Sequence, residues 1–132
     1  MHRKRETDTY LSRELALFVL IGALATGTHL VFLVILVEVA GWTALPASCV
    51  GAVAGAFVSY WLNYHHTFRS TRPHQIALPR FLIVAGSAFV INGALLAWLL
   101  RAFGINYLFA QILTTLTVLT LTFSAGRLWA FR

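Results

Sequence analysis

Charged residues are scarce in this sequence. Lys, Arg, Asp and Glu together make up 11% of the 132 residues, and 59% are hydrophobic. A soluble domain carries roughly 25% charged residues. A chain this short cannot hide so much apolar surface inside a core of its own. The composition therefore excludes an ordinary water-soluble domain and indicates an all-α integral membrane protein.

Cysteine and carboxylates are rare as well. Cys49 is the one cysteine, so no disulfide can form within the chain. Glu14 and Glu38 lie at the ends of the first apolar segment, and no acid–base pair, metal-ligand cluster or phosphate-binding loop stands out. We therefore expect no catalytic residue, no metal site and no cofactor, which is to say no enzyme. A small-molecule efflux carrier is a further alternative, although such cation exporters generally need a carboxylate inside the membrane.

Four long runs contain no charged residue. Crossing the hydrocarbon core takes about 20 apolar residues, and each run is long enough for one helix, the second with residues left over for a loop. The runs are 15–37, 39–68, 81–100 and 102–126. They predict four transmembrane helices at about 15–38, 45–66, 79–101 and 107–128.

The basic residues predict the orientation of these helices. Nine of the ten lie at the N-terminus, between the second and third helices, or at the C-terminus, and only Arg101 lies on the opposite side. Because Lys and Arg concentrate in cytoplasmic segments, both termini and the central loop are expected in the cytoplasm, with residues 1–12 forming a basic cytoplasmic segment. The net charge of +6 thus reflects topology and gives no reason to expect nucleic-acid binding.

The two halves of the sequence share landmarks at an offset of 63 residues. Phe18 aligns with Phe81, Gly41 with Gly104, and the ending "TFR" (67–69) with "AFR" (130–132). An internal repeat of this kind predicts two similar structural units. Since each half enters and leaves on the cytoplasmic side, we expect two parallel helical-hairpin repeats rather than inverted ones.

Small and polar residues recur inside the predicted helices. Gly51, Gly55 and Ser59 are spaced four apart, a pattern that permits close helix packing, either within one bundle or between two copies. His29 lies deep in the first helix and aligns with Asn92 in the third. Polar groups at that depth usually face the protein interior, so this pair predicts either one interhelical hydrogen bond or a polar translocation path.

Aromatic and cationic residues gather at the predicted inner ends of the second and fourth helices. Cationic donors at headgroup level can hold a lipid phosphate, although ordinary interfacial anchors would look the same. The candidate ligands for a lipid phosphate or sugar are Asn63, His65, His66, Arg69, Arg127 and Arg132.

These features together resemble the GtrA-like family of small four-helix membrane proteins. The family repeats a Gly-containing first helix with Asp or Asn in its middle, to which "FVLIGALATGTHL" (18–30) and "FLIVAGSAFVING" (81–93) are similar. It also repeats an ending like Asn-Phe-x-x-Asn-Arg-x-Trp-Thr-Phe, matched in part by "SYWLNYHHTF" (59–68) and "TFSAGRLWAF" (122–131). His29 departs from the usual acid or amide, whereas Asn92 keeps it.

The resemblance implies a role in cell-envelope polysaccharide glycosylation. Similar proteins are proposed to flip polyprenyl-phosphate-linked sugars across the bacterial cytoplasmic membrane, in contact with membrane lipids. A noncatalytic membrane anchor for a polyprenyl-phosphate glycosyltransferase is the alternative. Because four helices leave little interior for a sugar, a parallel homodimer is expected to line the path.

Overall fold

The computed structural model describes residues 2–132, which form four long helices. These are α1 (His2–Val34), α2 (Ala44–Leu62), α3 (His74–Phe103) and α4 (Tyr107–Ala125). Three of them continue into one wider π-helical turn each, at Ile35–Val39, Asn63–Thr67 and Gly126–Ala130. All four helices are long and apolar enough to cross a membrane, which confirms the prediction of four membrane-spanning helices.

Two helices extend beyond the apolar segments that the sequence pattern marks. α1 begins at His2, so the basic residues before the first apolar run are helical too. α3 begins at His74 and carries Pro79 in its second turn. Inside a helix, proline removes one backbone hydrogen bond and its ring crowds the carbonyl four residues earlier. The turn before Pro79 is nevertheless closed, because the Ile76 and Ala77 N–H groups both donate to the Pro73 carbonyl.

The chain divides into two compact units, one ending at Ser70 and the other beginning at Thr71. Hairpin 1 consists of α1 and α2 with their π-helical turns, and hairpin 2 of α3 and α4 with the turn after α4. Each reverses direction at a glycine with positive φ, Gly41 at 73° and Gly104 at 58°. Glycine adopts this left-handed conformation without the steric cost of a side chain.

Hairpin 1 is held by close contact of its two helices. A Cβ atom added at Gly51 would lie 2.6 Å from the His29 carbonyl oxygen, and one added at Gly55 would lie 2.7 Å from the Ala25 carbonyl oxygen. Helix backbones can approach this closely only where no side chain intervenes. The two glycines therefore face α1 within the same hairpin.

Both hairpins bury residues at equivalent positions of the 63-residue alignment. An aromatic pair lies near the open end of each hairpin, which is the end away from its glycine turn. The Phe18 and Phe68 ring centres are 6.2 Å apart, and those of Phe81 and Phe131 are 6.1 Å apart. Tilted rings at this separation are a favourable packing geometry. Five aligned positions are buried in both hairpins, namely Ala47 and Ala110, Gly51 and Thr114, Tyr60 and Phe123, Asn63 and Gly126, and Thr67 and Ala130.

Candidate functional site

The π-helical turn after α2 is built around a buried amide. The Asn63 side chain is 1% exposed. Its Oδ1 accepts a hydrogen bond of 2.8 Å from the Thr67 hydroxyl, and its Nδ2 donates one of 3.3 Å to the Ser59 hydroxyl. A buried polar side chain is tolerated only when its donors and acceptors are satisfied. This Ser59–Asn63–Thr67 chain therefore stabilises the turn from inside hairpin 1.

The other polar residues of this turn lie on its exposed side. His65, His66 and Arg69 are all exposed. The His65 ring contacts two aromatic neighbours, with ring centres 4.4 Å from that of Trp61 and 4.9 Å from that of Tyr64. The imidazole is therefore presented at the surface within an aromatic cluster.

Arg69 ends the turn in an unusual backbone conformation. Its φ is 45°, which makes it the only non-glycine residue with positive φ in the described part of the chain. The next residue closes the helix end, because the Ser70 N–H donates to the Tyr64 carbonyl at 2.8 Å. A side chain in this region costs roughly 1–2 kcal/mol relative to the right-handed conformation. Glycine would serve better structurally.

The corresponding turn in hairpin 2 holds its cations differently. Gly126 occupies the position of Asn63 and is buried, Arg127 is half-buried, and Arg132 is exposed. The Arg80 guanidinium reaches from α3 and lies 5.1 Å from the centre of the Trp129 ring. A cation at this distance is attracted to the face of an aromatic ring.

In both hairpins, an arginine of the first helix donates to a carbonyl in the π-helical turn that follows the second helix. Arg13 Nη2 lies 3.3 Å from the His66 carbonyl oxygen, and Arg80 Nη1 lies 2.9 Å from that of Trp129. His66 and Trp129 are aligned positions. The last carbonyls of a helix have no partner in the helix itself, and basic side chains are favourable there. These arginines therefore tie the open end of each hairpin together.

A polar pair lies inside each hairpin, far from its open end. His29 Nε2 and the Ser48 hydroxyl are 3.1 Å apart, and Gln111 Nε2 donates to Asn92 Oδ1 at 3.4 Å. The partners are separated by 19 residues in both cases. All four side chains are half-buried. In each hairpin, a polar contact between residues at equivalent positions of the 63-residue alignment therefore joins the two helices.

Four of these contact residues were not singled out by the sequence patterns as site residues: Arg13, Arg80, Ser48 and Gln111. Ser48 and Gln111 align with one another, as His29 and Asn92 do, and that alignment is the signal that points to them. The arginines give no such signal. Arg80 aligns with Leu17, one helical turn from Arg13, and only the folded hairpins bring the guanidinium groups to equivalent carbonyls.

The predicted ligands fall into two groups. Asn63, His65, His66 and Arg69 belong to hairpin 1, whereas Arg127 and Arg132 belong to hairpin 2. Among residues 2–132 no three His, Cys, Asp or Glu side chains are placed to hold a metal ion together. Each hairpin end thus presents basic and aromatic side chains, a combination suited to an anionic headgroup.

Comparison with known proteins identifies the family. A family model described as "GtrA/DPMS, transmembrane domain" matches residues 17–131. No curated protein and no solved structure matches this chain at a significant level. The matched region begins within α1 and includes the other three helices, both polar pairs and both π-helical turns that end the hairpins. The chain therefore belongs to the GtrA/DPMS transmembrane-domain family and is a multi-pass membrane protein.

Proposed function

We propose that this protein moves a polyprenyl-phosphate-linked sugar across the bacterial cytoplasmic membrane for glycosylation of a cell-envelope polysaccharide. One observation carries the proposal. Each hairpin of this GtrA/DPMS-family chain has an end where basic and aromatic side chains gather, followed along the hairpin by a polar pair. An anionic, sugar-bearing lipid needs cations at the headgroup level and hydrogen-bonding groups along its path.

In this proposal, capture occurs at the hairpin ends. His65, His66 and Arg69 in hairpin 1, and Arg127 and Arg132 in hairpin 2, donate to the phosphate and sugar. Asn63 contributes from inside, because its hydrogen bonds to Ser59 and Thr67 keep the exposed side of the turn in place. The polyprenyl chain stays in the hydrocarbon. Arginine suits the phosphate best, since its planar guanidinium donates two parallel hydrogen bonds.

The crossing step uses the polar pairs. His29 with Ser48, and Asn92 with Gln111, can exchange their mutual hydrogen bonds for bonds to sugar hydroxyls as the headgroup passes. Outward movement carries negative charge away from a negative cell interior. Each full charge gains about 2.3 kcal/mol per 100 mV of membrane potential. No nucleotide hydrolysis is then required.

The proposal includes a topology in which the two hairpins are parallel repeats with both termini in the cytoplasm. Nine of ten basic residues support the orientation, and the contacts that recur at aligned positions support the repeat. Single cysteines at positions 72 and 106, in a background with Cys49 replaced, test it by labelling from outside intact cells. We expect labelling at 106 and protection at 72. The reverse result would overturn the topology.

Capture and crossing are tested separately in vesicles loaded with polyprenyl-phosphate sugar. We expect Arg127→Ala to weaken binding about tenfold or more, since hydrogen bonds to charged groups contribute about 1.5–3 kcal/mol. Leu128→Ala is the matched control, because Leu128 is an exposed neighbour without charge and should bind normally. His29→Leu should slow transfer while leaving binding intact. Wild-type binding and transfer in both Arg127→Ala and His29→Leu would refute the site.

The same assay separates transport from a role as a noncatalytic anchor. Transfer by the purified protein alone supports the flippase. Normal binding with no transfer until a polyprenyl-phosphate glycosyltransferase is added would instead support the anchor.

We further propose a parallel homodimer, because one four-helix chain offers little interior for a sugar. Light scattering in detergent should report two copies, and activity should fall when vesicles are diluted to one copy each. A monomer that is fully active in singly occupied vesicles would refute the dimer.

A further inference from the structure

Hairpin 2 contains a cleft between its two helices. Its volume is about 240 Å³. Ile83, Ser87 and Ala88 of α3 line one side, Val118 and Thr122 of α4 line the other, and Trp129 lies at one end. The Thr122 hydroxyl is bonded to the Val118 carbonyl of its own helix at 2.8 Å. The wall that remains is mainly hydrocarbon.

The size and shape of the cleft suit part of a chain-like ligand. Sites for whole drug-sized ligands occupy about 300–1,000 Å³, so the cleft is too small for a complete sugar-bearing lipid. Along α3 it extends from Ile83 to Ile91, about 12 Å at 1.5 Å per residue. An apolar cleft of this length within a membrane-spanning hairpin fits a segment of a single hydrocarbon chain.

A cation lies at one end of this cleft. Trp129 is part of the wall, and the Arg80 guanidinium lies 5.1 Å from the centre of its ring while donating to the Trp129 carbonyl. A guanidinium carries five N–H donors, so one carbonyl bond leaves donors with which to meet a phosphate. A ligand that matches both features has an apolar chain and an anionic head.

The cleft has a clear origin in the sequence. Val118 aligns with Gly55, whose position in hairpin 1 allows direct contact with the Ala25 carbonyl. Ala25 in turn aligns with Ala88 on the cleft wall. Where hairpin 1 has two touching backbones, hairpin 2 has a valine side chain and a space beside it. The valine that replaces glycine at this position therefore accounts for the space.

We infer that this cleft binds a hydrocarbon-chain segment of a phosphate-bearing lipid, with the Arg80 guanidinium holding the phosphate. Arg80 and Trp129 together lie where the hydrocarbon chain of the ligand ends and its phosphate begins. The inference extends the proposed function, whose substrate has both parts, but binding in the cleft does not require transport.

The test uses the intrinsic fluorescence of Trp129. Trp42, Trp61 and Trp98 are replaced by Phe in the full-length chain, which is placed in phosphatidylcholine nanodiscs. Phosphatidic acid with brominated acyl chains is added at a few mole per cent as the probe, because bromine quenches tryptophan on contact. We expect it to quench Trp129 several-fold more than brominated phosphatidylcholine at the same mole fraction.

Two variants on α3 form a matched pair. Ala88→Phe fills the cleft and should abolish the excess quenching, whereas Ala94→Phe adds the same side chain at an exposed position outside the cleft and should preserve it. Arg80→Gln should bring quenching by phosphatidic acid down to the level of phosphatidylcholine. Circular dichroism on each variant verifies that the helices are intact.

The outcomes separate this inference from the proposed function. Unlabelled polyprenyl phosphate that removes the excess quenching by the probe, both in the chain with Ala88 and in Ala94→Phe, supports the cleft as the chain site of the transported lipid. Quenching by phosphatidic acid without such competition supports a phospholipid-binding cleft and counts against its use by the substrate. Equal quenching by phosphatidic acid and phosphatidylcholine, or full quenching in Ala88→Phe, overturns the inference whether or not transport is observed.

Discussion

Hairpin 1 and hairpin 2 share their end contacts but differ in how closely their helices pack. In each hairpin an arginine donates to a carbonyl in the last turn, two phenylalanine rings pack in a tilted arrangement, and one polar pair joins the helices. Between those shared contacts, Gly51 and Gly55 bring α1 against α2, whereas Thr114 and Val118 stand at the aligned positions of α4. Two hairpins with the same end contacts can therefore differ in how closely their helices pack, and a few side chains on one helix face determine the difference.

The largest expected effect follows from the close packing of hairpin 1. Gly55→Ala places a Cβ 2.7 Å from the Ala25 carbonyl oxygen, and overpacking of this kind costs about 1–3 kcal/mol. Gly27→Ala is the control, since nothing lies within 4 Å of its added Cβ and alanine favours the helix. Unfolding in mixed micelles should show a loss of stability for the first and none for the second. Equal effects would contradict the packing difference.

The helix starts at the two short turns should also respond unequally. Asn106 caps α4, because its Oδ1 accepts from the Leu108 N–H at 2.9 Å, whereas the aligned Thr43 makes no side-chain cap for α2. Removing a capping side chain costs about 1 kcal/mol. We expect Asn106→Ala to lower the free energy of unfolding by this amount and Thr43→Ala to leave it nearly unchanged. A greater loss at Thr43 would refute the assignment.

Arg69 offers a way to separate stability from binding. Because φ is 45°, Arg69→Gly should raise stability by up to about 1 kcal/mol, while Arg69→Ala keeps the unfavourable conformation and gains nothing. Both remove the guanidinium and should weaken phosphate-lipid binding alike. Thermal unfolding and lipid binding are measured for the two variants. Binding restored by glycine would show that the backbone, rather than the charge, is what matters.

The smallest expected difference concerns the two polar pairs. Double-mutant cycles with His29→Leu and Ser48→Ala, and with Asn92→Leu and Gln111→Ala, measure each coupling energy. Interhelical hydrogen bonds in membranes average about 0.6 kcal/mol and reach about 1.7. The shorter His29–Ser48 contact, 3.1 Å against 3.4 Å, should give the larger value. The opposite order would show that these distances do not reflect the interaction strength.

Hydropathy was sufficient to predict the number of helices, because an apolar segment in lipid has few alternatives to a helix. The same pattern could not place their ends. α1 continues back to His2, and α3 begins five residues before Pro79, since polar residues outside the hydrocarbon can join a helix without changing the hydropathy signal. The hydropathy pattern did not predict the π-helical turns either, because each depends on an extra residue per turn rather than on composition.

The candidate site was visible only in part for a similar reason. The basic and aromatic residues of "SYWLNYHHTFR" (59–69) stand out by type, but type does not tell which side of a turn a residue occupies. Asn63 and His65 are two positions apart, and yet one is buried and the other exposed. The contacts of Arg13 and Arg80 span 53 and 49 residues, so that they become apparent only when both helices of a hairpin are in place.

The arginine contacts also bear on how the protein is made. Arg13 donates to the His66 carbonyl, and Arg80 donates to that of Trp129. Each of these hydrogen bonds therefore forms within one hairpin and needs no residue from the other. Synthesis delivers the N-terminal part first. All residues of hairpin 1, including Arg13 and His66, are available once the chain up to Ser70 has been synthesised and has entered the membrane. Hairpin 2 is still being translated at that point. Each half can therefore be completed at the translocon as a separate insertion event, in the order in which it is encoded.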